Sequence, residues 1–170
     1  MQRVLVYGVT GSGKSTVAAL IARRTGLPHV SVDDLTWRPG WVALPDGEQR
    51  ALFTQVCAQD RWVLDSAYGS WVDVPLARAD LVVGLDLPRH VSLLRLLRRT
   101  VRRVVLRELV CGGNTETLRQ ALSRESILLW HGHSFARKRA RLLTWEADPD
   151  GPPVLRLTSS AQVERWVRSL

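Results

Sequence analysis

Gly8-Val9-Thr10-Gly11-Ser12-Gly13-Lys14-Ser15-Thr16, directly after the apolar run Val4-Leu5-Val6-Tyr7, is the stretch on which the fold turns. It fits G-x-x-x-x-G-K-[ST], the phosphate-binding loop, and stands between a strand pattern and a helix pattern as that motif requires. The glycines let the backbone curl so that successive N–H groups face inward. The helix that follows presents its positive end to the same point. Gly8, Thr10, Gly11, Ser12, Gly13, Lys14, Ser15 and Thr16 are the expected phosphate cradle. Lys14 is expected to reach the β- and γ-phosphates and the Ser15 hydroxyl to sit on Mg²⁺. The stretch implies a nucleoside triphosphate site, with ATP and Mg²⁺ as ligands.

A chain of 170 residues with 45% apolar residues predicts one domain with a real core. No run of about 18 apolar residues occurs, so no membrane-spanning segment is expected. The polar loop at Gly8–Ser15 also interrupts any signal-peptide core. Cys57 and Cys111 show no metal-ligand spacing, which points to reduced thiols and a cytoplasmic setting. The net charge of +8 is unevenly spread: residues 89–141 carry thirteen Arg and Lys against three Glu, a balance of +10, and the remainder is −2. A basic segment of this kind meets polyanions, either nucleic acid or the triphosphate itself.

Strands are expected at about 3–7, 29–32, 62–64, 81–85 and 154–157. Helices are expected at about 14–25, 46–59, 88–108, 116–130, 134–146 and from Ser159/Ser160 to the end. Trp37-Arg38-Pro39-Gly40-Trp41 reads as loop, and His131-Gly132-His133 as a helix break. On the 88–108 helix, Val91, Leu94, Leu97, Val101 and Val104 form an apolar stripe opposite Arg95, Arg98, Arg99, Arg102 and Arg103. Strands alternating with helices predict a three-layer α/β domain with a parallel sheet. Ligands in such folds gather at the carboxyl ends of the strands, where the Gly8 loop, Asp33/Asp34, Asp65 and Asp86 all fall.

A triphosphate site needs a second acid at a strand end to hold Mg²⁺ or its water. Asp65 is the first choice, with Asp86 the alternative. Asp33, or else Asp34, is a candidate to act as base toward an acceptor hydroxyl or to position the acceptor and Mg²⁺. Trp37 and Trp41 are candidates to stack on an acceptor, and Arg38 to grip an anionic one. Charge spread over the equatorial oxygens during phosphoryl transfer calls for arginines. Arg95, Arg99, Arg137 and Arg141 of the 89–141 segment are the candidates.

These residues together resemble the adenylate-kinase-related P-loop proteins described as topology modulation proteins. The resemblance rests on Gly8–Thr16, Val32-Asp33 with Trp37-Arg38-Pro39-Gly40-Trp41, Trp62-Val63-Leu64-Asp65 with Tyr68, and Ala79-Asp80 through Leu85-Asp86-Leu87-Pro88-Arg89. It spans nearly the whole chain, and the Trp-Arg-Pro-Gly-Trp loop is its most specific part. It implies a nucleoside-monophosphate-kinase-like P-loop NTPase fold with strand order 2-3-1-4-5 and a helical flap carrying arginines. It also implies Asp33 and Tyr68 on the acceptor side and Asp65 on the metal. The chain has Asp65-Ser66-Ala67-Tyr68 where the family has Asp-Gly-Asn-Tyr, and it lacks the Asp-Gly-x-Pro-Arg of adenylate kinases, which argues against AMP as acceptor. The expected activity is transfer of the ATP γ-phosphate to a small-molecule or nucleotide acceptor. The alternative is a nucleotide-dependent nucleic-acid-binding or regulatory ATPase using the basic 89–141 face. A GTPase is disfavoured because N-K-x-D is absent, Asn114 being the sole asparagine.

Overall fold

Each central strand is a short continuous apolar run, as strands covered on both faces must be. The computed structural model describes residues 1–111, 113–115 and 127–170. In chain order the elements are β1 (Arg3–Gly8), α1 (Lys14–Thr25), β2 (His29–Val30), α2 (Val32–Thr36), α3 (Asp46–Ala58), β3 (Trp62–Leu64), α4 (Asp73–Leu76), β4 (Leu81–Leu85), α5 (Arg89–Leu106), α6 (Ile127–Ala147), β5 (Val154–Leu157) and α7 (Ser160–Arg168). The five strands form one parallel sheet in the order β2-β3-β1-β4-β5. The fold is thus the expected α/β P-loop architecture.

Side chains alternate across the sheet. Leu5, Tyr7, Trp62, Leu64 and Val82 face a core closed by Phe53 of α3, Trp71, and Leu142 and Trp145 of α6. Val4, Val6, Val63, Val83 and Leu85 face a core closed by Val17 and Ile21 of α1 and Val167 of α7. Phe53 and Trp71 stack at 4.0 Å between ring centroids. Both termini of the fold's flanking helices follow local rules: α1 stops at Gly26, which sits at φ 69°, and Ser159 Oγ accepts from the Gln162 N–H at the start of α7. No helix among the described residues is long and apolar enough to cross a membrane.

Four expectations are corrected. β2 ends at Val30 rather than Val32, because the Val32 N–H donates to the Asp65 carboxylate (2.9 Å) and the chain turns into α2. Asp33 and Asp34 therefore project from the first turn of a short helix. The Trp37–Trp41 loop is a hairpin, Trp37–Arg38 pairing antiparallel with Val42–Ala43, turned by Gly40 (φ 82°) and Trp41 (φ 59°). The apolar stripe of α5 is not its buried face: Leu94, Leu97 and Val101 are 45–54% exposed, whereas Ser92, Leu96 and Thr100 are buried. These three, spaced four apart, let α5 press against the phosphate loop. An added Cβ on Gly11 would overlap the Ser92 carbonyl oxygen.

The expected break at His131–His133 is absent, and α6 runs through it. His131 is buried, with Nε2 2.9 Å from Ser92 Oγ in a hydrogen bond, so tertiary packing overrides the local signal. Thr115 pairs with Leu109 in a second hairpin, Leu109–Val110 with Asn114–Thr115. Of the helix expected at 116–130, residues 116–126 lie outside the described residues.

Candidate active site

The phosphate loop leaves β1 at Gly8, and its glycines do steric work. Gly11 and Gly13 sit at φ 82° and 97°, a region costly for side chains. A Cβ on Gly8 would lie 2.8 Å from both the Leu85 carbonyl and Ser12 Oγ. Ser12 Oγ is buried with no hydrogen-bond partner among the described residues. A backbone cradle with close approach at Gly8 and Gly11, a buried orphan hydroxyl and a helix N-terminus fits a phosphate chain. Lys14 Nζ donates to the Val9 carbonyl (3.1 Å). Burial lowers the Lys14 pKa below the ordinary lysine value; the fields of Asp33 and Asp65 oppose this and that of Arg99 adds to it. Thr10 and Gly13 are half-buried, and Ser15 and Thr16 are exposed at the start of α1.

Asp65 follows β3 directly and is buried. Its Oδ1 accepts from Val32 N–H, and His29 Nε2 lies 3.6 Å from Oδ2. Burial pushes its carboxyl up, but hydrogen bonds from His29, Val32 N–H and the Ser15 hydroxyl bring the net below the usual carboxylate value. Ser15 and Asp65, the expected metal pair, thus act on one another, the Ser15 hydroxyl lowering the Asp65 carboxyl. Among the described residues no group of three His, Cys, Asp or Glu could hold a metal ion. A hard cation held by one hydroxyl, one carboxylate and substrate phosphates is the usual arrangement for Mg²⁺, and these donors suit it. Asp86, the alternative acid, is instead paired with Arg139 and Arg156, each at 3.2 Å.

The expected acceptor side centres on Asp33. Tyr68 Oη donates to Asp33 Oδ1 (2.6 Å), and Trp37 Nε1 donates to Tyr68 Oη (3.2 Å). Burial and then the Asp33 charge raise the Tyr68 phenol well above its ordinary value, so it stays a donor. Trp37 and Trp41 meet edge to face at 5.8 Å. Arg38 is engaged at the surface with Glu48 (3.2 Å) rather than gathered with these side chains. Of the four arginines, Arg95 lies against the loop, donating to the Ser12 carbonyl (3.3 Å) and to Ser160 Oγ (2.8 Å). Arg99 acts through its charge on both Lys14 and Cys111. Arg137 and Arg141 both act on Tyr7, and Arg141 Nη1 would be 3.5 Å from a Cβ on Gly69.

Three contributors escaped sequence reasoning. His29 braces Asp65. Asn114 ties the two hairpins together: its Nδ2 donates to the Arg38 (3.0 Å) and Cys111 (2.6 Å) carbonyls, and its Oδ1 accepts from Trp41 N–H (2.8 Å). Its being the chain's sole asparagine, buried beside Gly-Gly, was the available signal. Lys138, on α6, donates to the Gly8 carbonyl at 3.4 Å.

This sheet order, loop and strand-end acids define the P-loop kinase fold. Solved structures agree: shikimate kinase from Acinetobacter baumannii in complex with shikimate superposes at a TM-score of 0.63 with 14% identity, over 99% of this chain and 90% of that one. A gluconokinase from Sinorhizobium meliloti gives 0.54 and 17%, over 99% and 94%, and a sugar kinase from Janibacter sp. 0.52 and 22%, over 99% and 93%. In sequence, the chain is 25% identical over 169 residues to "Uncharacterized protein YqaC" of Bacillus subtilis, covering 98% of this chain and 93% of that one. No protein-family model matches the chain.

Proposed function

We propose that this protein is an ATP-dependent phosphotransferase that moves the γ-phosphate of ATP to a hydroxyl of a small acceptor, within the P-loop group typified by topology modulation proteins. The observation that carries this reading is the placement of Lys14: its ammonium feels both Asp65, which follows β3 and accepts from Val32 N–H, and Asp33, bonded to Tyr68. Donor loop and acceptor acid therefore share one electrostatic site. A binding module would need only the first. The neighbouring folds include kinases named for shikimate, gluconate and sugars, all small hydroxylated molecules, which supports an acceptor of that kind.

In the proposed reaction Asp33 takes the proton of the acceptor hydroxyl as its oxygen attacks the γ-phosphorus and the bond to the β-phosphate oxygen breaks, releasing ADP. Tyr68 holds the Asp33 carboxylate in place. Lys14 and the Arg95, Arg99, Arg137 and Arg141 guanidiniums stabilise charge on the transferring group. Mg²⁺, held by Ser15 and by Asp65 or its water, would neutralise phosphate charge. Trp37, Trp41 and Tyr68 wall the acceptor.

The experiment is ADP release against a panel of small alcohols, sugars, hydroxy acids and nucleoside monophosphates. Acceptor-stimulated release that vanishes in Lys14→Ala and falls by about a hundredfold or more in Asp33→Asn is expected. ATP binding with no stimulating acceptor, together with steeply salt-dependent polynucleotide binding, would overturn the reading.

A further inference from the structure

The chain uses twenty-two arginines and two lysines, Lys14 and Lys138. Where positive charge alone is wanted, it uses arginine. The fold brings both lysines to the same place: Lys14 Nζ donates to the carbonyl of Val9 at 3.1 Å and Lys138 Nζ to that of Gly8 at 3.4 Å, consecutive carbonyls of the phosphate loop. Lys138 arrives from α6, lies 5.5 Å from the centre of the Tyr7 ring, and borders a small cavity with Gly8, Val9 and Phe135. An ammonium has three donors, and one long contact to a carbonyl is weak use of them. Anionic phosphate oxygens in the adjoining loop are better acceptors.

We propose that Lys138 is a second phosphate-binding lysine, closing on the triphosphate from α6 while Lys14 holds it from α1. The proposal rests on the phosphotransferase reading only in requiring a triphosphate in the Gly8–Thr16 loop. The charged groups around Lys138 are Lys14 on α1, Asp33 on α2, Arg137, Arg139 and Arg141 on α6, and Asp86 after β4, itself paired with Arg139 and Arg156. Burial first, then the Lys14 charge, bring Lys138 down to about 7; Arg141 and Arg137 act in the same direction and Asp33 against it. Phosphate oxygens beside it restore the ammonium, so nucleotide entry above pH 7 draws in a proton. Arginine, charged at every accessible pH, cannot make that exchange. In the empty site, loss of the Lys138 proton relieves its repulsion with the Lys14 ammonium.

The test is titration calorimetry of ATP and ADP with Mg²⁺ at pH 8, in buffers of differing ionisation enthalpy, which counts protons taken up. The wild-type protein should take up a large fraction of one proton per nucleotide, and its affinity should fall as pH rises from 7 to 9. Lys138→Gln should weaken ATP binding about ten- to a hundredfold. Lys138→Arg should still bind but lose most of the proton uptake, a change that a merely structural lysine would not produce. Unchanged affinity in Lys138→Gln or unchanged uptake in Lys138→Arg overturns the proposal. Thermal melts identify a Gln variant that fails to fold, in which case Lys138→Arg decides alone. Absence of nucleotide binding in the wild type would sink the phosphotransferase reading. Binding that Lys14→Ala abolishes and Lys138→Gln leaves intact would sink only this proposal.

Discussion

Gly11→Ala tests how tightly α5 is held against the phosphate loop, and Gly40→Ala supplies its control. Both glycines sit at φ +82°, so both alanines carry the same left-handed strain, about 1–2 kcal/mol. At Gly40 an added Cβ meets nothing within 4 Å. At Gly11 it overlaps the Ser92 carbonyl and lies 3.0 Å from Leu96 Cβ, both on the buried ridge of α5. Relief requires the helix or the loop to retreat by roughly an ångström. Overpacking of this kind costs about 1–3 kcal/mol. Gly11→Ala should therefore destabilise by about 2–5 kcal/mol, against about 1–2 for Gly40→Ala. Urea unfolding followed by tryptophan fluorescence measures the difference. ADP affinity should fall only for Gly11→Ala, because Arg95 on the same helix donates to the loop carbonyl of Ser12. If the two variants unfold at the same midpoint, α5 does not rest on Gly11 and the placement of Arg95 and Arg99 loses its support.

Tyr68→Phe removes the bond to Asp33 and leaves the phosphate loop untouched, so kcat/KM for the acceptor should fall about ten- to a hundredfold with unchanged ATP affinity in direct binding. Asn114→Ala strands the Trp41 N–H and two carbonyls. It should cost about 1–3 kcal/mol and raise the acceptor KM, with hydrogen exchange speeding up at Trp41. Asp80 is held down to about 2 by the Gln2 N–H and the Arg3 side chain and backbone. Because its folded value lies below its unfolded one, the stability it adds is fully present above about pH 4 and lost as pH falls toward 2. That stability is at most about 2 kcal/mol, and Asp80→Asn should flatten acid unfolding across this window.

The elements read correctly from sequence were those with a local cause. β3 and β4 are uninterrupted apolar runs, α1 ends at a glycine able to take positive φ, and α7 begins at a serine that caps it. The α5 stripe misled for a physical reason. Periodicity finds an apolar face, but a helix can be buried through small residues where a backbone must come close, as Ser92 does over Gly11. The His-Gly-His signal misled likewise, since Ser92 Oγ supplies His131 with a partner inside the packed helices.

The sequence by itself determined the loop that forms the candidate donor half of the site. Gly8 to Thr16 are contiguous, and the loop, its positive φ angles and the following helix depend on neighbours only a few residues away. Asp33 and Asp65 were legible as candidates because acids just past strand ends fall at a known edge of the sheet. Tertiary structure decided the rest. Lys138 is 130 residues from the Gly8 carbonyl it touches, and Asn114 is 76 from that of Arg38. No local pattern encodes a contact whose partner is chosen by the crossing of helices over a sheet. These long-range contacts are the ones that bring α6 against the Gly8 loop and tie the two hairpins together.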